Sequence, residues 1–210
     1  MNVRRFIQAG AVWGWPLFGD PLTEARSRYV VTGNPGIEES PWGKAMSFDG
    51  TNDYVTLRDS EEYPLRFNSG AQDFSVVAWV RADEDADATV IDKRDGADDG
   101  WMLYTASGGY FGFSIDPSFG YAEAAVGAWH CIAATVDRST LAQLYVDGIA
   151  TGVTFNPAGE VMATTTVPRI GAQSFDAAAK LTGAVAGIVI WNRILTAAEC
   201  AALATPGRAF

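Results

Sequence analysis

The sequence is poor in cysteine and histidine. Its two cysteines, Cys131 and Cys200, stand in apolar surroundings, and His130 is the single histidine. Two cysteines do not make the disulfide framework of a small secreted protein. We expect two buried free thiols, which pack as small hydrophobes, with one bridge as the alternative. The lone histidine, next to Trp129, predicts a packed or hydrogen-bonded side chain and disfavours chemistry that needs several histidines.

The sequence also has little positive charge and no long hydrophobic run. With 25 acidic and 15 basic side chains, its net charge is −10. Nucleic-acid binding needs a basic patch, so we exclude it. No apolar run reaches the roughly 18 residues of a transmembrane helix, which predicts no membrane insertion. The start of the chain resembles a signal peptide only briefly, because Trp13, Trp15 and Pro16 interrupt its apolar run.

What the sequence does contain is short runs of β-branched and aromatic residues between Gly, Pro and Asp. They predict one domain over residues 1–210, an all-β, two-sheet antiparallel jelly-roll β-sandwich. The predicted strands lie at 10–18, 73–81, 89–91, 100–106, 109–115, 129–136, 141–147, near 166–171 and at 181–191, with two more in 45–57 as a hairpin around Asp49-Gly50. Residues 19–44 are predicted as a long polar connection.

A short C-terminal helix follows the last predicted strand. Thr196 and Glu199 have the spacing of a capping box, in which each side chain bonds the other residue's backbone amide. Residues 74–80 and 184–191 are apolar on both faces of their strands, whereas a sandwich strand usually exposes polar residues on one face. Loops or a second chain would cover the extra apolar face, so we expect a homo-oligomer.

Several motifs resemble the laminin G-like, concanavalin A-like jelly-roll family, and they follow one another in that family's order. They run from Trp15-Pro16-Leu17-Phe18-Gly19-Asp20 through Met46-Ser47-Phe48-Asp49-Gly50, Phe74-Ser75-Val76-Val77-Ala78-Trp79-Val80, Trp129-His130, Leu144-Tyr145-Val146-Asp147-Gly148 and Arg169-Ile170-Gly171 to Leu195-Thr196-Ala197-Ala198-Glu199. The resemblance covers nearly the whole chain and implies the fold. It does not settle the function, because this fold carries many.

The resemblance also bears on calcium. Family members often have acidic side chains at the start of the last strand, where this sequence has only glycine and apolar residues over 183–188. A structural calcium ion near Asp49-Gly50 is therefore in doubt.

The best remaining metal candidate is the acidic loop at 82–99. Asp83, Asp85 and Asp87 alternate as in an EF-hand, and Asp92 would assist them, with Asp95, Asp98 or Asp99 as alternatives. However, Ala88 and Arg94 stand where that motif needs a glycine and a bidentate glutamate. We predict no resident cofactor except a calcium ion at a looser site of these four aspartates. A solvated acidic loop is the alternative.

The aromatic segment at 109–121 is the candidate ligand site. Tyr110, Phe111, Phe119 and Tyr121 would stack on sugar rings, because an aromatic face offers apolar area with a polar rim. The alternative is a hairpin whose rings pack on the sandwich.

The carboxylates do not predict an enzyme. Relatives of this fold that cleave glycans need two carboxylates in a cleft. The dense cluster at 83–87 is flanked by alanines and is typical of a loop, where no apolar pocket would raise the pKa of a general acid. We therefore predict a non-catalytic protein.

Three functional classes follow from the resemblance. The first is a phage-type virion surface component (a capsid decoration, head-fibre or tail protein), bound to other virion proteins or to itself and able to adhere to a cell-surface glycan. The resemblance implies display outside a cell, and no credible export signal is visible, which favours a virion over an extracellular location. The second is a calcium-dependent carbohydrate-binding lectin module. The third, a glycan hydrolase, is disfavoured.

Overall fold

Short strands fill the part of the chain that the computed structural model describes, which is residues 10–15, 29–58, 65, 67, 72–96, 99–162 and 164–206. These residues form fifteen strands and one helix: β1 Ala11–Trp15, β2 Val30–Thr32, β3 Gly36–Ser40, β4 Gly43–Asp49, β5 Tyr54–Thr56, β6 Phe74–Ala82, β7 Ala88–Asp92, β8 Trp101–Ala106, β9 Tyr110–Ile115, β10 Ser118–Glu123, β11 Trp129–Val136, β12 Ala142–Val146, β13 Ile149–Phe155, β14 Arg169–Ile170, β15 Thr182–Trp191 and α1 Ala197–Ala204. Among the described residues, no helix is long and apolar enough to cross a membrane.

The strands build two antiparallel sheets. The eight-stranded sheet has the order β13-β12-β11-β6-β15-β4-β3, with β1 also paired to β15. The seven-stranded sheet has the order β10-β9-β8-β7-β14-β5-β2. Some neighbouring strands are consecutive in the chain, whereas pairs such as β4–β15, β6–β15 and β7–β14 join distant parts of it, which is the arrangement of a jelly roll. The predicted two-sheet β-sandwich is confirmed.

The main core lies between the two sheets. Phe74 of β6 meets Trp101 of β8 and Phe113 of β9, with ring centroids 6.4 and 6.2 Å away. All three side chains are fully buried. Because side chains alternate along a strand, burial of Leu103 and Phe113 in this core turns Tyr104 and Gly112 toward the outer face of the seven-stranded sheet.

A second apolar cluster covers the outer face of the eight-stranded sheet. Helix α1 packs there through Cys200 and Leu203, and the Trp79 indole Nε1 donates to the Leu203 carbonyl oxygen over 3.1 Å. The helix starts in the predicted capping box of Thr196 and Glu199. The chain thus covers the extra apolar face of β6 and β15 itself. Homo-oligomerisation stays a prediction. The outer apolar face of β6 and β15 no longer supports it, because helix α1 covers that face.

Three strand predictions need correction. Asp49-Gly50 does not turn a hairpin, because β4 lies in one sheet and β5 in the other. Instead, Asp49 accepts the amides of Thr51 and Asn52 over 2.8 and 3.0 Å, and this turn carries the chain across the sandwich. The polar connection at 19–44 contains β2 and β3, and residues 16–28 lie outside the described part of the chain. The segment at 118–123 is the edge strand β10 and not part of an aromatic loop.

Candidate functional site

The four aspartates predicted to bind calcium have separate partners. Asp83 pairs with the Arg81 guanidinium over 2.6 Å, and Arg81 also pairs with Glu38. Asp85 accepts the amides of Gly108 and Gly109 at the β8–β9 turn, over 2.6 and 3.0 Å. These bonds hold the acidic loop against the turn.

Asp87 and Asp92 are also engaged elsewhere. Asp87 accepts the Ser107 amide over 2.9 Å, whereas Asp92 is fully buried beneath Arg94 and accepts the Ser174 amide. No three acidic, histidine or cysteine side chains of the described ranges come together as metal ligands. The predicted four-aspartate site is therefore not assembled, because each carboxylate fixes a different backbone or guanidinium group. Calcium binding as such stays a prediction.

Arg94 is the centre of a charged network on the outer face of the seven-stranded sheet. Its Nε lies 3.0 Å from Asp92 Oδ1 and its Nη1 lies 2.9 Å from Asp116 Oδ2. Burial raises the pKa of Asp92 above its ordinary value, although hydrogen bonds from Arg94 and Ser174 lower it in part. The Arg94 side chain also lies against the Phe175 ring, 5.8 Å from its centroid. The guanidinium is thus held in place from several sides.

The predicted aromatic residues divide between the two faces of their strands. Phe111 is 2% exposed and packs in the core between the sheets, so its predicted role as a ligand contact is wrong. Tyr110 and Tyr121 face outward with centroids 6.1 Å apart, and Phe119 stacks on Tyr121 at 5.4 Å. Phe119 is 51% exposed and Tyr121 44%. Three of the four predicted rings therefore form one row along the β9–β10 edge, in which Tyr110 is half-buried and Phe119 and Tyr121 are exposed.

Beside this aromatic row lies a groove of about 600 Å³ on the outer face of the same sheet. It is lined by Asp87, Ala88, Thr89, Arg94, Met102, Tyr104, Thr105, Ala106, Ser107, Tyr110, Tyr121, Gln173 and Ala179. Two tyrosines of the row, Tyr110 and Tyr121, form one wall, and Arg94 lies among the polar lining groups. The groove thus combines apolar ring faces with a few fixed polar groups, as ligand pockets do.

Tyr104 is a groove residue that the sequence interpretation missed. It stands in register with Gly112 of β9, which is in register with Tyr121 of β10. A Cβ at Gly112 would overlap the Tyr104 ring, so the missing side chain gives that ring its place across β9. A glycine inside a strand signals such a close approach. Burial is the main cause of a raised Tyr104 pKa.

His130 lies outside this groove and has a structural role. Its Nδ1 is 2.8 Å from Asp147 Oδ2, and its Nε2 is 3.1 Å from the Ala125 carbonyl oxygen. Asp147 also accepts the Cys131 amide over 2.9 Å. The histidine thus ties the β10–β11 connection to the β12–β13 turn, in agreement with the predicted hydrogen-bonded side chain.

Solved structures share this fold. Domain 4 of AbnA, a GH43 extracellular arabinanase from Geobacillus stearothermophilus solved with arabinotriose, matches with a TM-score of 0.61 and 17% identity over 82% of each chain. The binding domain of botulinum neurotoxin DC, solved with rat synaptotagmin II, matches with a TM-score of 0.60 and 14% identity. That match covers 84% of this chain and 46% of the neurotoxin chain, so this protein spans about half of it.

A third similar structure comes from botulinum neurotoxin type C, whose uptake into cells depends on interaction with two ganglioside molecules. It matches with a TM-score of 0.55 and 11% identity over 87% of this chain and 52% of the other. At these identities the likeness shows the fold alone. No curated protein matches the sequence significantly.

The sequence profile of the laminin G-like family, described as the concanavalin A-like lectin/glucanases superfamily, matches residues 49–201. The match runs from the Asp49 turn into helix α1 and includes both sides of the groove. Since it spans well over half of the 210 residues, the chain belongs to the concanavalin A-like lectin/glucanase superfamily.

Proposed function

We propose that this protein is a non-catalytic carbohydrate-binding domain and that its ligand lies in the groove on the outer face of the seven-stranded sheet. One observation carries the proposal. The half-buried ring of Tyr110 and the exposed rings of Tyr121 and Phe119 form a continuous row beside a groove of about 600 Å³. A sugar ring offers a C–H face that packs on an aromatic ring and hydroxyl groups that bond to polar neighbours.

The polar groups of the groove fit such a ligand. Asp87 and Gln173 offer oxygen acceptors, and Gln173 also offers amide donors. Tyr104 is half-buried and adds a hydroxyl group, whereas the fully buried Thr89 hydroxyl donates to Met102 Sδ. Tyr104 is held on the paired strand β8, and Asp87 is fixed by the Ser107 amide, so little ordering of these two side chains is left to occur when a sugar binds.

The similar structures support the same class of ligand. Domain 4 of the arabinanase is solved with arabinotriose, and the type C neurotoxin depends on two gangliosides. Both of those ligands carry sugars. The neurotoxin DC domain binds a protein, synaptotagmin II, which makes a protein ligand the alternative outcome of the test.

The carboxylates of the groove support binding without hydrolysis. Glycoside hydrolysis uses a pair of carboxyl groups on either side of the scissile bond. Of the residues that line the groove, Asp87 alone carries a carboxylate, since Asp92 is buried under Arg94. Asp87 is exposed at the rim of the groove.

The virion-surface location and the virion partners predicted from the sequence remain predictions. A glycan-binding groove is compatible with adhesion from a particle and equally with an extracellular lectin. Mass spectrometry of purified particles would show whether the protein is present in fixed stoichiometry.

A glycan array with the purified protein tests the proposal, followed by calorimetry with the best glycan. We expect micromolar to millimolar binding that Tyr121→Ala weakens by about 1 kcal/mol or more, through loss of ring stacking. Ile149→Ala is the matched control, because Ile149 is an exposed apolar residue on the edge strand of the other sheet. An array without any hit, or equal affinity for Tyr121→Ala and wild type, would overturn the proposal.

A further inference from the structure

The charges around the groove are unevenly balanced. Arg94 is the one cation among the described residues that line it. Asp92 and Asp116 both bond to that guanidinium, and Asp87 stands at the rim without a cationic partner in the lining. Two carboxylates therefore bond the single positive charge of the lining and Asp87 adds a third carboxylate at the rim, in a protein whose net charge is −10.

The Arg94 guanidinium has little left to offer an anionic ligand. Its Nε and Nη2 donate to the two oxygens of Asp92, over 3.0 and 3.4 Å. Its Nη1 donates to Asp116 over 2.9 Å. A sugar carboxylate near Arg94 would compete with both aspartates and meet their negative charge at close range. The groove is therefore unfavourable for acidic sugars.

The ring faces favour the opposite charge. Tyr104, Tyr110 and Tyr121 all line the groove, and the electron-rich face of an aromatic ring attracts an ammonium group. The negative field also reaches the floor of the groove. Burial is the main cause of the raised pKa of the Tyr104 hydroxyl; Tyr121, Asp116 and Asp87 raise it further, and Arg94 lowers it in part.

We infer that the groove selects glycans that carry a protonated amine, such as unacetylated hexosamines, over neutral glycans and excludes carboxylate-bearing ones. The ammonium group lies between the tyrosine rings and Asp87, where ring faces and a carboxylate both stabilise it. This inference rests on the proposed function, since it names the chemical class of the glycan that the same groove takes.

Two measurements test the inference. The first is an array on which amine-bearing, neutral and carboxylate-bearing glycans are all represented. The second is calorimetry with one matched pair, the tetramer of glucosamine and the tetramer of N-acetylglucosamine, together with an oligogalacturonate tetramer. We expect the strongest array signals from the amine class. In the matched pair, we expect binding of the amine tetramer to be about fivefold or more tighter.

Charge must be separated from the bulk of the acetyl group. Asp87→Asn keeps the shape of the side chain and its acceptor for the Ser107 amide, but removes the charge. We expect it to abolish most of the preference within the matched pair, because it should lower the affinity for the amine tetramer much more than the affinity for the neutral tetramer. Asp137→Asn is the control, because Asp137 is also an exposed aspartate that accepts a nearby backbone amide, that of Ser139, outside the groove.

Salt gives an independent check. Raising the ionic strength from roughly 0.05 to 0.5 M screens exposed charges and should reduce the amine preference. Neutral or carboxylate-bearing glycans as the strongest binders, or a preference that Asp87→Asn leaves intact, would overturn the inference while the proposed function stands. An array with no binder in any class would overturn the proposed function itself.

Discussion

The phenol ring of Tyr104 lies across Gly112 on the neighbouring strand, where any Cβ would overlap Cζ and the hydroxyl oxygen of the tyrosine. This contact sets the floor of the groove, because Gly112 stands in register between Tyr104 of β8 and Tyr121 of β10. A residue without a side chain thus decides where an aromatic ring can lie. The shape of the groove therefore depends on the missing side chain at Gly112 as much as on its tyrosines.

Gly112→Ala should therefore damage the groove. The added methyl group displaces the Tyr104 ring, and the overpacking should lower the free energy of unfolding by about 1–3 kcal/mol. Glycan affinity should fall together with stability, because the displaced ring occupies the groove. Urea unfolding and calorimetry with the best array ligand measure the two effects.

A double variant separates the ring contact from other effects of the new side chain. Tyr104→Ala opens the space that the methyl group needs, so Gly112→Ala should cost much less stability in that background. Equal costs in both backgrounds would show that the tyrosine ring does not limit position 112.

The sequence predicted most strands and the helix correctly, because local chemistry specifies them. Runs of β-branched and aromatic residues predicted β6 and β11, and the Thr196–Glu199 spacing predicted the start of α1. The edge strand β10 was missed because Pro117 precedes it and Gly120 interrupts its pattern. The Asp49-Gly50 turn was assigned to a hairpin because two residues cannot reveal that the flanking strands join different sheets.

The candidate site was predicted in part. The aromatic segment was identified, but Phe111 was not separated from Tyr110, although alternation along β9 places them on opposite faces. Alternation along a strand could not identify Tyr104 and Arg94 as groove residues. Their roles depend on the register of β8, β9 and β10 and on the loop that brings Gln173 to β7, which are long-range features of the fold.

Acid should loosen helix α1. A hydrogen bond from Arg193, at 2.6 Å, lowers the pKa of Glu199 from 4.5 to about 2. A lowered pKa means that Glu199 stabilises the folded state above pH 4.5 and that this stabilisation is lost as the pH falls toward 2. The free energy of unfolding, measured in urea at pH 6 and pH 3, should therefore fall less in Glu199→Gln than in wild type.

Comparing variant with wild type cancels the acid response that all the other carboxylates contribute. Glu39→Gln, at an exposed position of β3, is the matched control and should keep the wild-type pH dependence. Identical pH dependence of Glu199→Gln and wild type would contradict the assignment. Near-UV circular dichroism reports on the same event, because the Trp79 indole bonds to Leu203 at the end of the helix.

Both thiols should resist modification in the folded protein. Cys131 and Cys200 are free and buried. Burial raises the pKa of Cys131 well above its ordinary value and that of Cys200 to about 11. The reactive thiolate is therefore scarce near pH 8, and reagent access is poor. A thiol-reactive dye should label neither cysteine in native buffer and both in denaturant.

Loosening the helix should expose one thiol before the other. Leu203→Ala removes a buried contact that should be worth about 2–5 kcal/mol. Cys200 lies on the same helix, so it should label faster in this variant, whereas Cys131 stays protected on β11. If neither thiol is labelled in denaturant without reductant, Cys131 and Cys200 instead form a disulfide bridge.

Asp85 should stabilise the fold without a metal ion. Its carboxylate accepts the Gly108 and Gly109 amides, so Asp85→Ala should lower the free energy of unfolding by about 1 kcal/mol and loosen the β8–β9 turn. Asp85→Asn keeps an acceptor and should lose less. We expect the decrease in thermal midpoint of each variant, relative to wild type, to be the same in chelator and in millimolar calcium.

The calcium comparison decides between the two interpretations of the acidic loop. A calcium ion bound only to the folded state would raise the wild-type midpoint, and the rise would grow with calcium concentration. If Asp85→Ala abolished such a rise, the aspartates would rearrange into the site predicted from their spacing. If the wild-type midpoint does not change with calcium, the aspartates act as hydrogen-bond acceptors that hold the loop beside the groove.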